Sequence, residues 1–212
     1  KDGTRLTCAG VTGDERAANV LPKLSLDKKS INGWVMHTSK HYLSNESPLV
    51  PQKYLELPVG AIKPGGWLLE QLIIMKNGST GHLDETYGKL KNDNDWLGGK
   101  TESYEQPAYW LDGALPLAYL LDDKPLKEKV LKYVNWTIEN QRESGYFGPF
   151  TKYELQKGIK VKKGIEGDDW WPRMVMLKVL QQYYTASNDQ RVVPFMSKYF
   201  HYQFLNLSEC PL

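Results

Sequence analysis

Asp168, Asp169, Trp170 and Trp171 stand together in the sequence, at the start of a stretch with helical periodicity. Indole rings stack on the apolar face of a sugar, and neighbouring carboxylates accept hydrogen bonds from its hydroxyl groups. The cluster therefore predicts a carbohydrate site in which the two carboxylates are candidate catalytic groups. The alternative is structural, with one indole in the core and Asp169 as a charge that the helix dipole favours.

A second acidic and aromatic group stands at the start of an earlier helical stretch. Glu105 and Asp112 are about two helical turns apart, so they share one face of that helix. Tyr109 and Trp110 lie between them in the chain. Carboxylates presented by neighbouring helical hairpins can serve as acid and base in glycoside hydrolysis. The alternative assigns the same carboxylates to helix capping and to a buried hydrogen bond.

Two further stretches have groups that suit binding. His82 and Glu85 could hold a sugar hydroxyl or a metal, although a lone histidine beside carboxylates is more often a structural group. Tyr146 lies in an aromatic loop that could line a subsite or cover a helix end. The candidate catalytic residues are therefore Asp168, Asp169, Glu105 and Asp112, and the candidate substrate-binding residues are Trp170, Trp171, Tyr109, Trp110, Tyr146, His82 and Glu85.

Helices must position these residues. From residue 64 onward, apolar residues recur at spacings of three and four between loops rich in Gly and Asn. Residues 110–141 and 171–203 each predict a helical hairpin, and the two hairpins resemble one another with an offset of about 65 residues. Repeated hairpins of this kind are typical of an α-toroid or α-solenoid, whose long loops gather on one face and form the expected site. Residues 1–60 lack the periodicity and predict an extended or short β segment that covers a helical domain at 61–212.

Composition excludes several classes of protein. The 27 Lys and Arg residues nearly balance 25 Asp and Glu, so no basic excess favours nucleic acid, and no apolar run approaches the roughly 20 residues that span a bilayer. Cys8 and Cys210 stand far apart without metal-ligand spacing, and no nucleotide-binding motif is present, so neither metal nor cofactor is predicted. The chain begins at Lys1 without Met or an apolar leader, which fits removal of a signal peptide or a start within a longer sequence.

Five motifs carry a family resemblance: LPVGAIKP at 57–64, WLLEQL at 67–72, TGHLDE at 80–85, YWLDG at 109–113 and DWWPRM at 169–174. They resemble the N-terminal half of bacterial glycoside hydrolase family 127 proteins, the β-L-arabinofuranosidase-like group, over about residues 55–207. The resemblance implies an (α/α)6 toroid in a secreted or periplasmic enzyme that trims plant polysaccharides. It also implies a cysteine nucleophile at a zinc site of one glutamate and three cysteines, which nothing in this sequence matches.

The sequence thus predicts an all-α fold of toroid-type hairpins that is only part of a ring, because six hairpins need twelve helices and the chain supplies five or six. The missing half of the ring or a second copy is the expected protein partner. The predicted function is hydrolysis of glycosidic bonds in plant-type oligosaccharides or polysaccharides. The alternative is a non-catalytic helical-repeat module that binds glycan or protein on the same face.

Overall fold

The computed structural model describes residues 5–6, 24–25, 48–51, 53–149, 167 and 169–206. Six α-helices make up most of this part of the chain, and two short 3-10 helices lie between the second and third of them. The helices are α1 (Gly66–Asn77), α2 (Ser79–Thr86), α3 (Gln106–Leu120), α4 (Lys124–Glu139), α5 (Trp171–Ser187) and α6 (Val192–Asn206). Two-residue strands β1 (Arg5–Leu6) and β2 (Leu24–Ser25) pair antiparallel.

Local sequence explains where the main helices begin and end. Proline occupies the first turn of α3, α4 and α5, where its missing N–H costs no hydrogen bond. The carboxylate of Asp123 caps α4 by accepting from the backbone N–H of Leu126 at 2.9 Å. Helix α5 ends at Ser187 and is capped by Asn188, whose φ of 57° lies in the left-handed region that asparagine tolerates.

The four long helices form two antiparallel hairpins, α3–α4 and α5–α6, that lie side by side. Helices α3 and α5 share the most extensive contact among the described elements. Two further hydrogen bonds join α6 to the residues that follow α4. The Gln141 amide donates to the carbonyl of Phe195 at 2.9 Å, and Lys198 donates to the carbonyl of Arg142 at 3.0 Å. The prediction of an all-α fold built from toroid-type hairpins is therefore confirmed.

The core lies between the two hairpins and is rich in aromatic residues. Phe147 packs edge-to-face on Phe195 and on Tyr199, with ring centroids 5.0 and 4.8 Å apart. The 57–64 motif packs at the far ends of the hairpins, where Lys63 donates to the carbonyl of Tyr119 at 3.0 Å. That motif therefore supports the C-terminal ends of α3 and α5, away from their starts, where the acidic and aromatic groups lie.

Helix α1 contains no buried residue, and Trp67 is 70% exposed on it. Helix α6 also leaves large apolar side chains in contact with solvent, among them Phe200 and Phe204. Within the described ranges, no helix combines the length and the apolar character needed to cross a membrane.

Candidate functional site

Helices α3 and α5 run in the same direction, so their N-terminal ends lie together. Near the starts, the Tyr104 phenol lies close enough to the carboxylate of Asp169 for that carboxylate to raise the pKa of the phenol. Further along, the carboxylate of Asp112 accepts from Lys178 and from the Gln182 amide, both at 2.9 Å. The residues paired across the interface are thus separated by nearly the same number of positions as the two sequence repeats. Equivalent positions of the repeats consequently face one another.

Two predicted binding residues are open to solvent at these helix starts. Tyr109 on α3 is 48% exposed, and Trp171 on α5 is 52% exposed. Each lies in the first turns of its helix, on elements that pack directly together. A sugar ring could stack on either aromatic face without displacing core residues.

The same end of α3 carries acceptor oxygens that lack a donor. Oε2 of Glu105 and Oε1 of Gln106 are buried, and neither finds a hydrogen-bond donor in the structure as described. Most buried polar atoms in proteins are paired, so these oxygens are available to accept from a water molecule or from a ligand hydroxyl. Glu105 is a predicted catalytic residue, whereas Gln106 was not singled out as a candidate.

Asp169, from the second repeat, also lies near the start of α3. Its carboxylate accepts from the backbone N–H of Trp171 at 3.2 Å, which is the contact of a helix-start carboxylate. Burial raises the pKa of Tyr104 to about 12, and the charge and hydrogen bond of Asp169 and then the charge of Glu105 add to that rise. Both carboxylates therefore lie near one phenol. Asp168 falls outside the described residues.

The remaining predicted carboxylate, Asp112, links the two helices. Its two oxygens accept from Lys178 and Gln182 respectively, and its side chain is 26% exposed. This is the hydrogen-bonded structural role that the sequence left open beside the catalytic one. The ion pair places Asp112 next to the exposed face, two turns along from the helix starts.

Three predicted binding aromatics lie in the core instead of on the exposed face. Trp170 is 8% exposed and packs edge-to-face on Tyr199 and Tyr202. The buried Trp110 donates its indole N–H to the carbonyl of Thr80 at 2.8 Å. Tyr146 is fully buried. All three side chains are therefore buried, and for Trp170 this is the core alternative that the sequence left open.

His82 and Glu85 belong to a separate charged cluster between α2 and α4. The imidazole Nδ1 of His82 lies 3.0 Å from Oε1 of Glu85. Lys129 donates to Glu85 at 2.6 Å, to Asp84 at 2.9 Å and to the carbonyl of Gly81 at 2.8 Å. The hydrogen bond from Lys129 and then that from His82 lower the pKa of Glu85. Lys129 therefore anchors α2 to α4 through Glu85 and Asp84, and the side chain of His82 contacts Glu85 within α2 itself.

Two residues that sequence reasoning passed over hold the site together. Tyr104 precedes α3 and contacts Asp169. The guanidinium of Arg173 is fully buried and donates to the carbonyls of Phe147 and Asp169, both at 3.0 Å, and to the carbonyl of Pro149. The available signal for Arg173 was its charge at a position where the apolar spacing of α5 predicts a buried side chain. No sequence pattern marked Tyr104.

The thiolate-zinc centre implied by the family resemblance does not fit the donor set of the described residues. They contain no cysteine, since Cys8 and Cys210 both lie outside them, and they contain no cluster of three side chains suited to a metal ion.

Comparison with known proteins shows the family to which the chain belongs. Its residues 28–210 match the family model described as beta-L-arabinofuranosidase, GH127 catalytic domain. No curated protein and no solved structure matches it. The matched range covers most of the chain and includes every candidate site residue. The chain therefore belongs to the GH127 family of glycoside hydrolases.

Proposed function

We propose that the joined N-terminal ends of α3 and α5 bind an arabinose-containing plant oligosaccharide and that the protein hydrolyses its glycosidic bond. The observation that carries the proposal is the meeting of the two repeats: Tyr109 and Trp171 are exposed at adjacent helix starts, beside the carboxylates of Glu105 and Asp169. Aromatic faces with nearby carboxylates suit the two sides of a sugar, its apolar face and its hydroxyl groups. Membership of a glycoside hydrolase family supports the same substrate class.

Among the candidate carboxylates, Glu105 is the best suited to act as general acid or base. Such a group must approach the glycosidic oxygen within hydrogen-bond reach. One oxygen of Glu105 has no donor in the described structure, whereas both oxygens of Asp112 are occupied. We assign the second carboxylate of the pair to Asp169, which lies by the same phenol as Glu105.

The binding part of the proposal is tested with Trp171→Ala. An aromatic stacking contact contributes about 0.5–1.5 kcal/mol beyond area burial, so affinity for an arabinose oligosaccharide should fall roughly two- to tenfold. Isothermal titration calorimetry measures it. Trp67→Ala is the matched control, because Trp67 is an exposed indole on α1 and is not among the residues of the proposed site. Equal affinity for both variants would refute the assignment of Trp171.

The catalytic part is tested with Glu105→Gln, which keeps the shape of the side chain and removes its ionisable proton. We expect the hydrolysis rate of a 4-nitrophenyl arabinofuranoside to fall at least about 10²-fold with little change in affinity. Glu70→Gln, on exposed α1, is the control and should leave the rate unchanged. Binding without hydrolysis by the wild-type protein would instead support the non-catalytic glycan-binding module.

A secreted or periplasmic location is part of the same proposal, since polymeric plant glycans lie outside the cell. Fractionation of expressing cells tests it: the proposal expects the protein in the medium or periplasm. Retention of the natural full-length protein in the cytosol would contradict it.

A further inference from the structure

Helices α3 and α5 present one exposed face that continues from the helix starts. On α5, Trp171, Met174 and Lys178 are exposed and recur at spacings of three and four, so they lie on one side of the helix. Lys178 forms an ion pair with Asp112 of α3. Because the exposed Tyr109 precedes Asp112 by three residues, this ion pair places the exposed sides of the two helices next to each other.

Gly113 lies on this face, in the interior of α3. It is exposed and follows Tyr109 by four residues, which is about one turn or about 6 Å along the helix axis. A glycine inside a helix is destabilising relative to alanine, because it loses more conformational freedom on folding. Glycine is therefore the less stable choice at this position unless something requires the missing side chain.

Neither backbone geometry nor packing explains this glycine. Gly113 is not among the glycines with positive φ in the described part of the chain. Apart from its own helix backbone, a Cβ at Gly113 would meet no heavy atom of the described residues within 4 Å. A Cβ at Gly81, by contrast, would lie 1.7 Å from the carbonyl oxygen of Lys76, so packing explains Gly81. The space over Gly113 is open, on the same side of α3 as the exposed ring of Tyr109.

We propose that Gly113 is a specificity-determining residue of the glycan site, where its missing side chain lets the second sugar of a chain lie against the α3 backbone. The proposal rests on the proposed function of that site, in which the first sugar stacks on Tyr109 or Trp171. Close approach of a backbone to a ligand is one of the situations that require glycine. Because a helical turn separates Tyr109 from Gly113, a ligand must be longer than one sugar to contact both. Gly113 therefore favours oligosaccharides over single-sugar glycosides.

The test is Gly113→Leu, which fills the open space with a side chain that helices favour. It is made in the Glu105→Gln background, so that ligands are not hydrolysed during isothermal titration calorimetry. We expect affinity for arabinotriose to fall at least about tenfold, while affinity for 4-nitrophenyl β-L-arabinofuranoside changes less than about twofold. The urea midpoint should stay at or above that of the parent protein. The matched control is Gly88→Leu, because a Cβ at Gly88 also meets nothing within 4 Å and Gly88 lies outside α3 and α5.

Every other outcome overturns the proposal, and each does so in a distinguishable way. If Gly113→Leu bound both ligands as Gly88→Leu does, Gly113 would have no part in specificity and the proposed function would still stand. Equal losses for both ligands with a lower urea midpoint would mean that the leucine disturbs the fold. Conversion of a dimer to a monomer in gel filtration, with glycan affinity unchanged, would assign the face to a second copy of the chain. A wild-type protein that neither binds nor hydrolyses the two ligands would refute the proposed function, and the role of Gly113 with it.

Discussion

Replacing Arg173 by methionine should destabilise the protein, because the Arg173 side chain joins α5 to the loop that contains Phe147. The guanidinium is fully buried and donates to the carbonyls of Phe147, Asp169 and Pro149. It also lies 4.4 Å from the ring centroid of Tyr146. Methionine is similar in length and apolar, so the substitution keeps most of the packing and removes the donors. The loop that contains Phe147 then loses its attachment to α5.

The size of the effect follows from these contacts. The carbonyls of Phe147 and Asp169 are bonded at buried positions, and leaving each one unsatisfied costs about 1–3 kcal/mol. The bond to Pro149 is only partly buried, so water can replace it. Relief of the buried charge offsets part of the loss, which leaves a net destabilisation of about 3 kcal/mol. For a domain of this size that corresponds to a fall in Tm of about 6–12 °C.

Thermal and urea unfolding, followed by circular dichroism at the helical minimum, measures this change. Lys178→Met is the matched control, because it also replaces a long cation on α5 by methionine. Lys178 is 60% exposed, and its ion pair with Asp112 should contribute no more than about 1 kcal/mol. If Arg173→Met lowered the Tm no more than Lys178→Met does, the reasoning about the buried guanidinium would be refuted.

Three further predictions concern stability. Trp170→Ala should lower the free energy of unfolding by about 3–5 kcal/mol, and a change below about 1 kcal/mol in urea unfolding would place this indole outside the core. Gly148→Ala should lower the free energy of unfolding by more than about 1 kcal/mol, because φ is 74° and the added Cβ would lie 2.8 Å from Trp96. Gly113→Ala is the control and should not destabilise the protein, because its Cβ would meet nothing within 4 Å. Equal urea midpoints for the two variants would contradict this prediction. Hydrogen bonds from Arg191 lower the pKa of Asp189 to about 2 from 3.8, so its stabilisation is complete above about pH 4 and lost as the pH falls towards 2. Asp189→Asn should therefore lose less stability than wild type over that range, and parallel pH profiles would count against it.

Local sequence was sufficient to predict the four long helices, whereas α2 (Ser79–Thr86) lies where a loop was expected. Prolines in the first turns, apolar spacings of three and four, and Asn188 at the end of α5 act over a few residues, so they can be read without knowing the fold. The resemblance between the two hairpins also predicted that their starts would correspond. The pairing of Tyr104 with Asp169 and of Asp112 with Lys178 agrees with that correspondence.

Side-chain direction was much harder to predict at the site. Trp170 and Trp171 are neighbours in the chain, yet one packs on Tyr199 and the other is half exposed. Successive residues near a helix start point in directions about 100° apart, and only the position of α6 determines which direction is the buried one. The sequence cluster therefore leads to the place of the proposed site without showing which indole is exposed there.

The sequence by itself determined the family, the helical hairpins and the acidic and aromatic character of the helix starts, because these depend on composition, short-range spacing and motifs. Tertiary structure alone decided that Asp112 is held by Lys178, that Arg173 binds carbonyls of a distant loop, and that Tyr104 adopts a left-handed backbone against Asp169. Each of these depends on partners far away in the chain. Such contacts form only when the hairpins pack, so no local pattern encodes them.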